Sequence, residues 1–379
     1  MDAIGVGLIG YGMIGRVHTL AYRELPLLYP KQLPPLHLAM ICTSRAESAR
    51  AAAEEAGFDD WGTEVASLVR RDDVNVVDCS SPNYLHYAQV MEAIAAGKHV
   101  YCEKPLALNG AEARRLVEAA RRAGVQVGMT FNYRFVPAVQ RARQLIEAGK
   151  LGQIYSFRTD YLHTGYQDPN KPMGWKLRRE QAGGGALVDL GSHLVDMIRF
   201  LLGDFESVRA AAHTFITERP VSRGSTEKEP VTVDDVAWVQ ARLRNGVTGT
   251  LEASRFATGM VDDLRFEIHG ERGALKFNLL DPNWLYWYDA TRTSEPLGGE
   301  RGWTRLETLQ HYSGAAVPPS RATLGWARTH AENQYAFLRA VVEGRCPQPD
   351  IQDGLQAQLV LDAAYASIEA GAWASVSAE

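Results

Sequence analysis

The stretch Ile4-Gly5-Val6-Gly7-Leu8-Ile9-Gly10-Tyr11-Gly12-Met13-Ile14-Gly15 decides the fold of the N-terminal part of the chain. Its apolar half predicts a buried strand, and a Gly-x-Gly-x-x-Gly turn then opens a helix. In that context Gly10 permits a tight turn, Gly12 lets backbone approach a pyrophosphate, and Gly15 lets the helix pack against the strand. Phosphates also favour the positive end of a helix. The stretch therefore predicts a dinucleotide site formed by Gly10, Gly12, Met13, Ile14 and Gly15.

The first third of the chain alternates short apolar runs with alanine-rich helical patterns, which is typical of a doubly wound parallel sheet. The predicted strands are 4–10, 38–42, 74–80, 99–102 and 125–130. The predicted helices between them are 46–56, 84–96 and 110–123. We therefore predict an α/β Rossmann domain over residues 1–130.

The remaining residues, 131–379, have the pattern of an α+β substrate domain. Long alternating strands are predicted at 153–163, 205–217, 233–243, 246–256, 264–269 and 274–278. Turn signals at Asn245-Gly246 and at 270–273 favour an antiparallel sheet. Helices are predicted at 186–202, 326–343 and 351–370.

Length and composition narrow the class of protein. A chain of 379 residues suggests two domains, and 46% hydrophobic with 22% charged residues is ordinary for a globular protein. The net charge of −5 and the lack of a basic stripe argue against a nucleic-acid partner. The 4 scattered cysteines, an N-terminus unlike a signal peptide and the lack of a long apolar stretch predict a cytoplasmic protein without a membrane partner.

Polar residues follow three of the predicted strands, at the sheet edge where such folds bind ligands. After the second strand stand Thr43, Ser44 and Arg45, with no carboxylate to select NAD, so NADP is favoured. A solvated Arg45 and an NAD site without its usual acid are the alternative. Further cofactor contacts are predicted at Ser80, Ser81, Pro82, Asn83, His86, Glu103 and Lys104. Asn83 as a simple helix cap and Lys104 as a surface residue are the structural alternatives.

The glycine run 183–185 opens a helix that carries Asp189 and His193, four residues apart and so neighbours on one face. Histidine exchanges a proton near neutral pH, and an aspartate orients it or holds a hydroxyl. With Lys104 and a nicotinamide, this pair describes oxidation of an alcohol. A surface ion pair is the alternative, as is a metal site of Asp189, His193, Asp196 and His163; lacking a second nearby histidine, we predict no metal.

For the other candidate residues, the sequence leaves two roles open or favours a structural one. Arg134 and Trp175 lie near domain junctions, where each would line the cleft or brace it. His18, His213 and His269 belong to no reactive cluster and are predicted to be structural.

These motifs together resemble the glucose-fructose oxidoreductase, inositol dehydrogenase and rhizopine catabolism (Gfo/Idh/MocA) family over nearly the whole chain. The resemblance rests on Gly10-x-Gly12-x-x-Gly15, Ser81-Pro82-Asn83-x-x-His86, Glu103-Lys104-Pro105, and Gly184-Gly185-x-x-x-Asp189-x-Gly191-x-His193-x-x-Asp196. Around residues 131–163, including Arg134, Tyr161 and His163, the chain is similar to levoglucosan-type sugar dehydrogenases. One departure is Thr43, since many NAD-using members carry an acid there.

The resemblance implies a large open antiparallel sheet in the C-terminal domain and a homo-dimer or homo-tetramer. It also implies that Lys104, Asp189 and His193 are catalytic, and that Arg134, Tyr161, His163 and Trp175 join them in binding substrate. The expected reaction is hydride exchange between NAD or NADP and a ring hydroxyl, or matching ketone, of a sugar, anhydrosugar or cyclitol. An NAD-dependent glycosidase using transient ring oxidation and a non-catalytic dinucleotide sensor are the alternatives.

Overall fold

The computed structural model describes residues 2–318 and 322–376. The chain forms two compact units. Unit 1 comprises Met1–Phe135, Tyr312–Pro319 and Gly325–Gln358. Unit 2 comprises Val136–His311, Ser320–Leu324 and Leu359–Glu379. Within the described residues, no helix combines the length and apolar character needed to cross a membrane.

The helices are α1 Met13–Leu28, α2 Ala46–Ala56, α3 Val65–Val69, α4 Asn83–Ala95, α5 Gly110–Ala123, α6 Pro137–Glu147, α7 Arg179–Ala182, α8 Ala186–Asp189, α9 Gly191–Leu202, α10 Trp326–Glu343 and α11 Ile351–Ala370. Single 3-10 turns lie at Asn132–Phe135 and Trp175–Leu177.

The strands are β1 Ile4–Ile9, β2 Leu36–Cys42, β3 Asp60–Gly62, β4 Val76–Cys79, β5 His99–Cys102, β6 Val127–Met129, β7 Ile154–Leu162, β8 Phe205–His213, β9 Glu218–Pro220, β10 Lys228–Pro230, β11 Val236–Leu243, β12 Thr248–Ser254, β13 Asp263–Gly270, β14 Gly273–Asn278, β15 Trp284–Asp289, β16 Trp303–Glu307 and β17 Ala374–Ser375.

Unit 1 contains a six-stranded sheet in the order β3-β2-β1-β4-β5-β6, and every neighbouring pair is parallel. This confirms the predicted doubly wound sheet, in which the strand order reverses beside β1. The short strand β3 and helix α3 were not anticipated. Strand β3 has only three residues, of which Asp60 and Trp61 are exposed, so it lacks the apolar run that marks a buried strand.

The predicted domain boundary at residue 130 differs from the division of the structure. Unit 1 continues to Phe135 and takes back helix α10 from the C-terminal part of the chain. The reason is packing: Phe337, Leu338 and Val341 of α10 belong to the same buried cluster as Val6 and Tyr22. The periodicity of the sequence predicts this helix but does not indicate which domain it packs in.

Unit 2 contains a nine-stranded sheet in the order β16-β15-β14-β13-β7-β12-β11-β8-β17. The predicted antiparallel pairing holds for every neighbour except β7 and β12, which run parallel. This correction reflects strand order: β7 lies between two strands that are distant in sequence, so no turn signal reports the pairing. Strand β11 alternates strictly between buried and exposed residues from Ala237 onward, as expected for a sheet covered on one face.

The helix predicted over 186–202 is divided at Leu190, between α8 and α9. Its start is fixed by Asp234, whose carboxylate accepts hydrogen bonds from the backbone N–H of Gly185 and of Leu187. A Cβ at Gly185 would lie 1.8 Å from the carbonyl oxygen of Asp234, and one at Gly184 would lie 2.0 Å from the hydroxyl of Tyr365. The glycine run therefore lets the chain pass close to both residues.

Candidate functional site

The glycine turn after β1 has the conformation that dinucleotide binding requires. Gly10 has φ +91°, which favours glycine, and the hydroxyl of Ser80 donates to its carbonyl oxygen at 2.9 Å. A Cβ at Gly15 would lie 2.3 Å from that same oxygen, so only glycine allows α1 to pack this closely. Contacts within unit 1 thus explain why the first and last positions of the motif, Gly10 and Gly15, are glycine.

Contacts within the protein do not explain the glycine at position 12, because a Cβ at Gly12 would meet nothing within 4 Å. It precedes the 16-residue helix α1, and no described side chain caps the backbone amides at that end. Open space in front of uncapped amides at a helix N-terminus suits the pyrophosphate of a dinucleotide. Gly10, Gly12, Met13, Ile14 and Gly15 therefore fit the cofactor predicted for them, with Met13 66% exposed at the helix start.

The end of β2 carries hydroxyls and an arginine. The Thr43 and Ser48 hydroxyls lie 2.6 Å apart, and both donate to the carbonyl oxygen of Arg45. Ser44 and Arg45 are exposed. Backbone conformation at this turn is thus fixed by Thr43 and Ser48, which leaves the Arg45 side chain at the surface.

The turn after β4 is held from within unit 1. Ser80 supports the glycine turn, and the Ser81 hydroxyl donates to Oε1 of Gln89 at 2.6 Å. Helix α4 begins at Asn83, and Pro82 occupies the cap position without a side-chain hydrogen bond, so the alternative of Asn83 as a cap is wrong.

His86 is fully buried. Its Nδ1 lies 2.7 Å from the carbonyl oxygen of Pro105, and its Nε2 lies 2.9 Å from that of Ser81. With both ring nitrogens engaged by backbone, His86 braces the Ser81 turn against the segment after β5. We therefore correct its predicted role: it positions cofactor-binding backbone rather than touching the cofactor.

Glu103 and Lys104 follow β5, at the same carboxyl edge of the sheet as the glycine turn. Glu103 is buried, Lys104 is half-buried, and Oε2 of Glu103 accepts a hydrogen bond from the Lys104 backbone N–H at 3.2 Å. Oε1 of Glu103 lies 3.2 Å from Nε2 of His18. His18, predicted to be structural, therefore lies in a buried charged cluster, a proximity that its distance in sequence from Glu103 does not reveal.

In unit 2 the Asp189 carboxylate is held by two cations. Nη2 of Arg255 lies 3.0 Å from its Oδ2, and Nζ of Lys176 lies 3.2 Å from its Oδ1. Arg255 is 2% exposed, its guanidinium stacks 4.5 Å from the ring centre of Tyr166, and the charge of Asp189 is the largest cause of a raised Lys176 pKa. These contacts fix the orientation of the Asp189 carboxylate.

His193 begins α9 beside a second polar cluster. Its ring lies 5.9 Å from that of Tyr161, centre to centre, in an edge-on arrangement. The Tyr161 hydroxyl donates to Oδ1 of Asp262 at 2.7 Å, and Nε2 of His163 lies 3.5 Å from the same oxygen. Burial raises the pKa of Asp262, but hydrogen bonds from His163 and Tyr161 and the charges of His163 and His193 outweigh it, so the net direction is down.

The remaining predicted substrate residues, Trp175 and Arg134, lie in different surroundings. Trp175 is half-buried and its ring centre lies 5.5 Å from Nζ of Lys176, beside the Asp189 cluster. Arg134 is 5% exposed in unit 1 and makes a bidentate ion pair with Asp353, at 2.9 and 3.0 Å. We therefore correct Arg134 to a brace, because a buried, doubly bonded guanidinium is committed to its partner. His213 packs against Phe215, and Nε2 of His269 lies 3.6 Å from Glu267.

Sequence reasoning missed Arg255, Asp262 and the contribution of Lys176. Arg255 follows β12 and Asp262 precedes β13, so both lie at the edge of the sheet where β7 ends, one residue after Tyr161. Asp262 has φ +53°, an uncommon conformation for a residue with a side chain, but a sequence does not display it. Within residues 2–318 and 322–376, the acids and histidines spaced for a metal ion are His18, Glu103 and His330, none of them in the metal set weighed from sequence.

Comparisons with known proteins show the family. Residues 4–131 match the model of an oxidoreductase family with an NAD-binding Rossmann fold, and residues 139–276 match the GFO/IDH/MocA C-terminal domain. The chain is 35% identical to levoglucosan dehydrogenase of Pseudarthrobacter phenanthrenivorans over 99% of both chains.

Solved structures extend the agreement. A levoglucosan dehydrogenase in complex with NADH and levoglucosan has a TM-score of 0.92 at 35% identity, covering 99% of each chain. The complex with NADH and L-sorbose has a TM-score of 0.94 with the same identity and coverage.

A Rossmann unit with an open glycine turn, followed by a unit that carries a clamped aspartate and a histidine, defines a nicotinamide-dependent oxidoreductase. The chain belongs to the Gfo/Idh/MocA family. It is an NAD(P)-dependent dehydrogenase of the sugar and cyclitol class.

Proposed function

We propose that this enzyme oxidises a secondary ring hydroxyl of a sugar, anhydrosugar or cyclitol, and reduces the matching ketone in the reverse direction. The observation that carries the proposal is the Asp189 carboxylate, fixed by Arg255 and Lys176 four residues before His193. Bound NAD supplies the hydride acceptor. An anhydrosugar is the first substrate to test, because the levoglucosan dehydrogenase relative matches this chain along almost its full length.

The proposal gives roles to His193, Asp189 and Lys104. His193 is the general base that takes the proton from the reacting hydroxyl. Asp189 accepts a hydrogen bond from the reacting or adjacent hydroxyl with the oxygen lone pairs that its two cations leave, and orients the imidazole. The Lys104 ammonium stabilises the developing alkoxide charge or relays the proton. The proton thus leaves through side chains of this chain.

Substrate contacts are assigned to residues around His193. Tyr161 donates its hydroxyl to Asp262, so it offers mainly its ring to the sugar. His163 and Asp262 are partly exposed and provide polar groups for hydroxyls that do not react. Trp175 offers an aromatic surface beside Lys176. A ring with several hydroxyls is the ligand that suits this mixture.

We also propose that the enzyme accepts NADP and that Arg45 binds its additional phosphate. Support comes from the exposed Arg45 side chain and from the lack of a carboxylate at Thr43 and Ser44. Arg45→Ala is expected to lower kcat/KM for NADP about 10-fold while changing that for NAD less than about twofold. Equal losses with both cofactors would remove Arg45 from the site.

The proposal includes a homo-dimer or homo-tetramer in the cytoplasm. The uncovered face of the unit 2 sheet carries Trp238, which is 45% exposed on β11, and offers a broad surface to a second copy. Cys42, Cys79, Cys102 and Cys346 form no disulfide, as suits a reducing compartment. Sedimentation analysis of the purified protein tests the assembly.

The experiment for the reaction follows the absorbance of reduced nicotinamide with NAD or NADP. The panel contains levoglucosan, L-sorbose, free aldoses, glycosides and inositols. We expect reduction with at least one anhydrosugar, sugar or cyclitol. Release of free sugar from a glycoside without net reduction would instead establish the glycosidase, and cofactor binding without any turnover would establish the sensor.

A further inference from the structure

His18 lies at the centre of a buried charge network in unit 1. It is 0% exposed on α1, and its Nδ1 lies 2.9 and 3.0 Å from the two carboxylate oxygens of Asp78 on β4. Its Nε2 lies 3.2 Å from Oε1 of Glu103. Ionised carboxylates only accept hydrogen bonds, so the contact with Asp78 requires a proton on Nδ1. Because a second carboxylate lies at ion-pair distance from Nε2, the surroundings favour the imidazolium form of His18.

The groups around His18 support that charge. Burial lowers the pKa of His18, but the charges and hydrogen bonds of Asp78 and Glu103 outweigh burial and raise the pKa to about 10. Asp78 is itself fixed by the Tyr22 hydroxyl at 2.8 Å and by the amide of Gln334 at 3.4 Å.

Two aromatic rings complete the surroundings of His18. Tyr101 of β5 lies 5.3 Å away and His330 of α10 lies 5.7 Å away, measured between ring centres. Burial, together with the charge of His18, lowers the pKa of His330 to about 3, so His330 is neutral. The cluster thus contains one cation and two carboxylates, with a net charge of −1 next to Lys104.

Glu103 connects this cluster to Lys104. One carboxylate oxygen faces His18, and the other accepts the backbone N–H of Lys104 at 3.2 Å. Burial raises the pKa of Glu103, but the contact with His18 and the charge of Lys104 outweigh burial and lower the pKa to about 2. Loss of the His18 charge would leave two buried carboxylates uncompensated beside the Lys104 ammonium.

We propose that His18 is a positioning residue for the reaction, which holds Glu103 in place and balances its charge beside Lys104. This inference rests on the proposed function, because it acts through the role given there to Lys104.

The test compares the pH dependence of kcat in His18→Gln, Glu103→Gln and the double variant. Without the cation, Glu103 favours the protonated ammonium, so in His18→Gln the alkaline limb should move up by about one pH unit. In Glu103→Gln the carboxylate is lost, so the alkaline limb should move down by about one pH unit. The double variant restores the net charge of −1, so its limb should return toward wild type. We expect kcat to fall about 10-fold in each single variant, with the cofactor KM changed less than about twofold.

His330→Gln is the matched control, because it alters a buried histidine of the same cluster without changing its charge. Its alkaline limb should stay within about 0.2 pH units of wild type. Single variants that lose activity with unshifted limbs, or with limbs shifted in the same direction, would reduce His18 to a packing role. A transition metal bound in stoichiometric amount to the purified holoenzyme would also overturn the imidazolium. Near-normal turnover in Lys104→Ala would instead contradict the proposed function itself.

Discussion

At the scale of single residues, the protein fixes the carboxylate of Asp189 with two cations, four residues before His193. Arg255 and Lys176 hold both oxygens of Asp189, and Tyr161 and Asp262 border His193. The sequence motif predicted Asp189 and His193 as site residues because both lie within one short segment. It did not reveal Arg255 or Asp262, because strand pairing brings them to the site from more than 60 positions away in sequence.

The first prediction concerns proton transfer. His193→Ala and Lys104→Ala are each expected to lower kcat about 100-fold or more, because one removes the general base and the other a charge that stabilises alkoxide. Affinity for the reduced cofactor, measured by titration of its fluorescence, should change little. His213→Gln is the control, since this histidine is exposed on β8 and packs against Phe215. A kcat near that of wild type in His193→Ala would remove it from the mechanism.

At the scale of elements, helix starts and strand ends position the site. The glycine turns before α1 and α8 are both forced by close backbone contacts, at Gly15 and Gly185 respectively. The sequence predicted both turns and the doubly wound sheet, because glycine spacing and apolar runs are local signals. It did not predict the break at Leu190 or the parallel pairing of β7 with β12, because Asp234 and the strand order act over long distances.

The second prediction is that Gly185→Ala destabilises unit 2. The new Cβ would lie 1.8 Å from the carbonyl oxygen of Asp234, so the start of α8 must shift and Asp189 with it. We expect a loss of about 2 kcal/mol or more in the free energy of unfolding, measured in urea. Gly302→Ala serves for comparison, because a Cβ there meets nothing within 4 Å. Equal stability of the two variants would contradict this account of the glycine run.

The third prediction concerns pH and stability. The pKa of His18 rises from 6.5 to about 10 on folding, so its contribution is complete below pH 6.5 and is lost as the pH rises toward 10. The pKa of Glu103 falls from 4.5 to about 2, so its contribution is complete above pH 4.5 and is lost as the pH falls toward 2. Urea unfolding from pH 6.5 to 10 should therefore show falling stability in the wild type and a smaller fall in His18→Gln. Parallel curves would contradict the network.

At the scale of the whole molecule, the predicted site residues lie in both units: the glycine turn and Lys104 in unit 1, and Asp189 and His193 in unit 2. The sequence prediction assigned α10 to the second domain, whereas the structure assigns it to unit 1. The apolar face of α10 has the same sequence pattern whichever core it packs against. Its packing with Val6 and Tyr22 shows that it belongs to the core of unit 1.

The fourth prediction separates cofactor binding from stability. Gly12→Ala adds a methyl group in open space, so the free protein should unfold at the temperature of the wild type. Excess NADH stabilises a protein that binds it, by about 2.7 kcal/mol at 100 times Kd. Thermal unfolding should show that shift in the wild type and a much smaller one in Gly12→Ala, because the methyl group occupies pyrophosphate space. An equal NADH shift in both proteins would place the dinucleotide elsewhere.

Deuterium transfer tests the central claim most directly. The enzyme is incubated with NAD or NADP and the most active sugar or cyclitol of the substrate panel, deuterated at its ring carbons, and the reduced nicotinamide is analysed by mass spectrometry. The account predicts a single deuterium on the nicotinamide, formed at least about 100-fold more slowly by His193→Ala. Reduced nicotinamide without deuterium, or a panel in which no compound reduces the bound cofactor, would contradict hydride transfer from a ring hydroxyl.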